Sequence, residues 1–128
     1  MKNRLAIVVA GILCVAMPLL AHHSVSGEYD VNKPVTIKGT VAKLEWTNPH
    51  SRIYVDVKDA RGKVTTWNFE LAARSALTRQ GWTGRSVKIG DTVTVEGDLA
   101  RSGANGAHAR TVVLADGTKV FSGANDNN

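Results

Sequence analysis

Val35-Thr36-Ile37-Lys38-Gly39-Thr40-Val41-Ala42-Lys43-Leu44-Glu45-Trp46 decides how this sequence is read. Val35, Ile37, Gly39 and Val41 alternate with polar or small residues at period two, the pattern of a half-buried strand. Leu44 and Trp46 then fall out of step with Val41. A phase slip inside one long strand predicts a β-bulge near Ala42-Lys43, with Gly39 easing a bend.

Downstream, Thr47-Asn48-Pro49-His50 breaks the run as a turn. A second strand is expected over Arg52–Lys58, burying Ile53, Val55 and Val57, and Asp59–Gly62 forms a hairpin loop. Lys63–Leu71 is the third strand, with Thr65, Trp67, Phe69 and Leu71 on one side. The period then changes: Ala72–Gln80 is rich in helix formers and Gly81 is placed to cap it. Val93 and Val95 mark a fourth strand, Arg101–Gly106 a Gly-rich loop and Ala107–Leu114 a fifth strand. Asp116-Gly117 returns Lys119-Val120-Phe121 as a hairpin partner. The fold class expected is mainly β: a five-stranded OB-like β-barrel with one short helix between strands three and four. Its extent is residues 35–121, with 22–34 as an N-terminal segment and 122–128 as a disordered polar tail.

Upstream, Lys2 and Arg4 precede a sixteen-residue uncharged stretch, Leu5–Leu20. As a helix it would be about 24 Å long, short of the roughly 30 Å hydrocarbon core. Residues 1–21 therefore read as a signal peptide cleaved after Ala21, leaving no stable membrane anchor and a periplasmic protein. Loss of Lys2 and Arg4 takes the formal charge from +5 to +3, and Cys14, Met1 and Met17 leave with them. The mature chain then has no cysteine or methionine, which excludes thiol nucleophiles, redox pairs and soft metal sites.

The strings His22-His23-Ser24, Glu28-Tyr29-Asp30, Gly39-Thr40-Val41, Glu45-Trp46-Thr47-Asn48-Pro49-His50, Gly81-Trp82 and Gly90-Asp91 resemble a family of small exported bacterial proteins known only as a domain of unknown function. The resemblance covers nearly all of the mature chain. It implies a periplasmic protein of a Gram-negative bacterium, and it brings no activity and no site residues.

Two groups of residues can carry chemistry. After cleavage, His22 would offer a free α-amine beside its imidazole and His23 a further nitrogen, a set that suits Cu(II), then Ni(II) or Zn(II). Cleavage after Leu20 would instead leave Ala21-His22-His23 with a histidine third, also a strong Cu(II) and Ni(II) arrangement. The second group is Asn48, His50, Arg52, His108 and Arg110, which OB topology would gather where the loops after strands one and four flank the ligand face. Trp46, Trp67 and Trp82 read as core and rim packing. No Gly-x-Ser-x-Gly, His-Glu-x-x-His or close carboxylate pair is present, so no enzyme is expected. Scattered basic residues and a Gly-rich stretch with no helix after it point away from nucleic acid. The expectation is a monomeric periplasmic binding module, for a divalent metal with Cu(II) favoured. The alternative is a metal-free module that contacts an envelope protein, a glycan or a small ligand.

Overall fold

The computed structural model describes residues 25–122. The expected signal peptide, His22, His23 and most of the expected tail lie outside them. A single helical turn, α1 (Val25–Glu28), leads into β1 (Tyr29–Glu45), followed by β2 (Arg52–Lys58) and β3 (Val64–Glu70). Then come a short helix α2 (Arg74–Arg79), β4 (Thr92–Ala100), β5 (Gly106–Leu114) and β6 (Lys119–Ser122). Six strands form one sheet in the order β3-β2-β1-β4-β5-β6, and β3 also pairs in parallel with β5 at Asn68–Glu70 against Gly106–His108. The sheet thus curls back on itself, through a short seam rather than a full-length wall.

The phase slip in β1 is real. Pairing with β2 runs through Thr40 and Val41, skips Ala42 and resumes at Lys43, so Val41 is buried and Leu44 returns to the core side. An added Cβ at Gly39 would collide with the Asp56 carbonyl oxygen of β2, so only glycine permits this close approach. The strand also starts earlier than alternation suggests. Tyr29 and Asp30 pair with Ala100 and Leu99, after which the register breaks and resumes at Pro34. Residues 29–34 therefore belong to the sheet and are not a separate segment. At the other end β6 is the hairpin partner expected over Lys119–Phe121, extended to Ser122 opposite Thr111, so the sheet has six strands where the barrel expected had five.

Strand alternation sends Ile53 and Val55 of β2, Phe69 of β3, Val93 and Val95 of β4, and Ala107, Ala109 and Val112 of β5 into one core with Leu71 and Leu77. Val57 is only half-buried. Trp82 is buried and meets Phe121 edge-on, with ring centroids 5.9 Å apart, while Trp46 and Trp67 pack against the core from its rim. Helix α2 has no side-chain cap of its own from Ala73. The β1–β2 loop supplies the partners instead: Arg74 N–H donates to the Thr47 carbonyl (3.0 Å) and Ser75 N–H to Asn48 Oδ1 (3.3 Å). Among the described residues, no helix is long and apolar enough to cross a membrane.

Candidate functional site

Because Ile53, Phe69 and Ala107 point inward, their neighbours Arg52, Glu70 and His108 point outward. Register places Arg52 opposite Glu70, Glu70 opposite His108, and His108 opposite Asp98. One row of polar side chains thus crosses the outer surface of β2, β3, β5 and β4.

Glu70 is the hub. It is buried at 4% exposure although it lies on the outer face. Its Oε2 accepts hydrogen bonds from Arg52 Nη2 (2.9 Å) and from the Tyr29 hydroxyl (3.0 Å). His50 Nδ1, from the β1–β2 loop, stands 3.6 Å from Oε1. Arg52 also donates through Nη1 to Asn68 Oδ1 (3.2 Å), which fixes its planar fork between two residues of β3. Burial pushes the Tyr29 phenol up to about 12, with the negative charge of Glu70 adding to the shift. The Tyr29 ring also packs against the His108 imidazole, centroids 5.6 Å apart and tilted by 51°.

The second buried carboxylate is Asp98, 6% exposed. Arg110 Nε stands 3.5 Å from Asp98 Oδ1, an ion pair without a hydrogen bond, and that oxygen accepts none among the described residues. Gly97, beside it, is required by the backbone: a Cβ there would strike the His108 carbonyl oxygen. The face is closed by Lys43, which is ion-paired to Glu45 (2.7 Å) and lies over the Tyr54 ring, 5.1 Å from its centroid. The hydrogen bond between them raises the Lys43 pKa and lowers that of Glu45. At the far end Arg101 of the β4–β5 loop ties α1 down, donating from Nε to the Ser26 carbonyl (3.0 Å) and from its N–H to the Glu28 carbonyl (2.9 Å).

Of the five expected face residues, His50 and Arg52 meet at Glu70, and His108 lies next to it in register. Arg110 sits two residues further along β5, on Asp98. Asn48 does not join them, since its side chain caps α2. Glu70 and Asp98, the carboxylates that organise the face, lie in no motif, and the Glu28-Tyr29-Asp30 string gives Tyr29 no role. Alternation alone puts Glu70 on the side of Arg52, but its contact with β5 depends on the seam. His22 and His23 lie outside the described residues. Among the described residues, no three His, Cys, Asp or Glu side chains come together as a metal-holding group.

The sequence matches a family profile over residues 9–109. The chain belongs to the family of unknown function DUF6152. No curated protein matches this DUF6152 chain. Among solved structures, its fold resembles the mitochondrial single-stranded DNA-binding protein Rim1 of S. cerevisiae in two crystal forms. One form covers 69% of this chain and 95% of its own at 13% identity and a TM-score of 0.50. The other covers 76% and 99% at 14% identity, with the same TM-score. These are OB-fold proteins, so the mainly β, OB-related class expected for the DUF6152 chain stands. The exclusion of nucleic acid does not. It rested on scattered charge and a Gly-rich stretch with no helix after it, and the Rim1 structures similar in fold are of a single-stranded DNA-binding protein.

Proposed function

We propose that the chain is an exported, periplasmic binding module on an OB-like barrel, with the outer face of β2, β3 and β5 as its ligand surface. The supporting observation is Glu70, a buried carboxylate on an outer face, held by Arg52, Tyr29 and His50 from three different segments. A buried charge is costly unless paired and hydrogen-bonded, and a merely solvated face has no use for one. In OB folds the corresponding face and its two flanking loops take oligonucleotides and oligosaccharides. The similarity in fold to Rim1, a single-stranded DNA-binding protein, supports single-stranded nucleic acid as one ligand class. The test is to follow backbone amide resonances during titration with a single-stranded deoxyoligonucleotide and with soluble oligosaccharides. Saturable shifts at Arg52, Asn68, Glu70 and His108 are expected; shifts confined to β6 and α2 would overturn the assignment.

A second reading, Cu(II) held by His22 and His23, is favoured by the Ala21-His22-His23 string at the expected cleavage point. It depends on those two residues alone.

A further inference from the structure

The row Arg52, Glu70, His108, Asp98 has one polar side chain per strand across four neighbouring strands. Strand spacing makes it roughly 14 Å long from end to end. Its charges cancel: Arg52 is paired with Glu70 and Arg110 with Asp98. What remains unused is hydrogen-bonding capacity of both kinds. Among the described residues, Asp98 Oδ1 accepts no hydrogen bond, and Glu70 Oε1 has His50 at 3.6 Å. The side chains of Arg110 and His50 are half-exposed, and the Asn68 amide nitrogen is turned away from the bond its oxygen accepts. Both carboxylates are nine-tenths buried and anchored, so little side-chain entropy remains to be lost when a ligand docks.

A ligand matched to such a row donates and accepts in alternation and carries no net charge. Hydroxyl groups do both, and vicinal hydroxyls on a sugar ring can donate to a carboxylate while accepting from an adjacent guanidinium or amide. A cation would compete with Arg52 and Arg110 for the carboxylates, and an anion would compete with the carboxylates for the arginines. We propose that this row is the binding track for a neutral oligosaccharide lying across β2, β3, β5 and β4. The proposal rests on the reading of the outer face as the ligand surface and adds the ligand class. Arg110, exposed and in loose contact with Asp98, is the side chain that moves aside so that a hydroxyl reaches Oδ1.

The experiment titrates the full chain with cellohexaose and chitohexaose, and separately with a mixed-sequence single-stranded deoxyoligonucleotide, following amide resonances. With at least one saccharide, saturable shifts are expected at Arg52, Asn68, Glu70, Asp98 and His108. Binding should be unchanged between about 50 and 200 mM salt, because a neutral ligand releases no counterions. His108→Ala, whose imidazole has no polar partner among the described residues, should fold and weaken binding about tenfold, the loss of one good hydrogen bond. Lys119→Ala on exposed β6 should leave it unchanged. If the row answers only to the oligonucleotide, the sugar assignment falls and the ligand face stands. If none of the probes moves these resonances at about 1 mM, both fall.

Discussion

Tyr29, the first residue of β1, donates its phenolic hydrogen to Oε2 of Glu70, the last residue of β3, at 3.0 Å across 41 positions of sequence. The bond joins the beginning of the sheet to its closing seam, because Glu70 is also the residue that faces His108 of β5. Tyr29→Phe keeps the ring against His108 and removes one of two strong donors to a buried carboxylate. The expected cost is about 1.5–3 kcal/mol, the range for a hydrogen bond to a charged group. Urea denaturation at neutral pH measures it, and a cost near zero would mean that water replaces the hydroxyl.

Burial of the same phenol, beside the charge of Glu70, sets an alkaline limit. In the unfolded chain Tyr29 loses its proton near the ordinary tyrosine value of about 10, whereas in the fold it keeps it to about 12. Between those values the native state binds more protons than the unfolded state, so stability falls as pH rises. Below pH 10 the contribution is constant. Denaturation midpoints at rising pH should therefore drop more steeply for the wild type than for Tyr29→Phe, and the two curves should run parallel below pH 9. A slope that is equal in both proteins above pH 10 would remove the phenol from the account.

The core offers a stability test with its own control. Phe69 is fully buried and stacks on Trp67, centroids 6.1 Å apart. Phe69→Ala should cost about 3–5 kcal/mol, the range for truncating a buried aromatic, which is a large share of what a domain this size has. Lys58→Ala, at the exposed end of β2, should stay within about 0.5 kcal/mol of wild type in the same denaturation series.

Two glycines are expected to part company. Gly97→Ala places a methyl group on the His108 carbonyl oxygen, a backbone atom that cannot step aside, and should cost about 1–3 kcal/mol or more. At Gly84 the same methyl group would rest 3.6 Å from the Trp46 ring, in ordinary contact, and Gly84 lies outside the positive-φ glycines. Gly84→Ala should be neutral or raise stability by about 0.4–1 kcal/mol through the unfolded chain. Thermal melts of the pair decide it; equal losses would show that Gly97 is not held by the β4–β5 approach.

How much of this was legible in the sequence follows from the range of each interaction. The bounds of β2 and the bulge at Ala42 rest on alternation, a property of neighbouring residues, and both are found where the pattern puts them. The start of β1 at Tyr29 was not legible, because Val31–Lys33 are unpaired and interrupt the alternation that would have marked it. His50, Arg52 and His108 share a surface because OB topology brings the two loops together. Glu70 is not marked out by the sequence, because a glutamate in an alternating strand reads as solvated. Its burial goes with the β3–β5 seam, which joins segments nearly forty residues apart, and with contacts from Tyr29, Arg52 and His50. Asn48 departs in the opposite direction, from the ligand face to the end of α2, since a polar loop residue carries no sign that a helix N-terminus lies beside it.

The amino-terminal histidines are tested by processing and metal together. Intact mass of periplasmic protein is expected to show loss of residues 1–21, giving a chain that begins at His22. Its α-amine and imidazole then form one chelating pair, to which His23 adds a nitrogen. Cu(II) should bind more tightly than Ni(II) or Zn(II), following the intrinsic order of nitrogen sites. Acidification should release the metal, because the amine and the imidazoles bind only when deprotonated and their reference values are roughly 7.7–8.0 and 6.5. Acetylation of the α-amine, or His22→Ala with His23→Ala, should abolish tight binding in a calorimetric titration. His50→Ala and His108→Ala should leave it intact, since among the described residues these side chains belong to no metal-holding group. Copper affinity equal in the processed protein with a free and with an acetylated α-amine would show that the α-amine is no ligand, and the Cu(II) reading would fall.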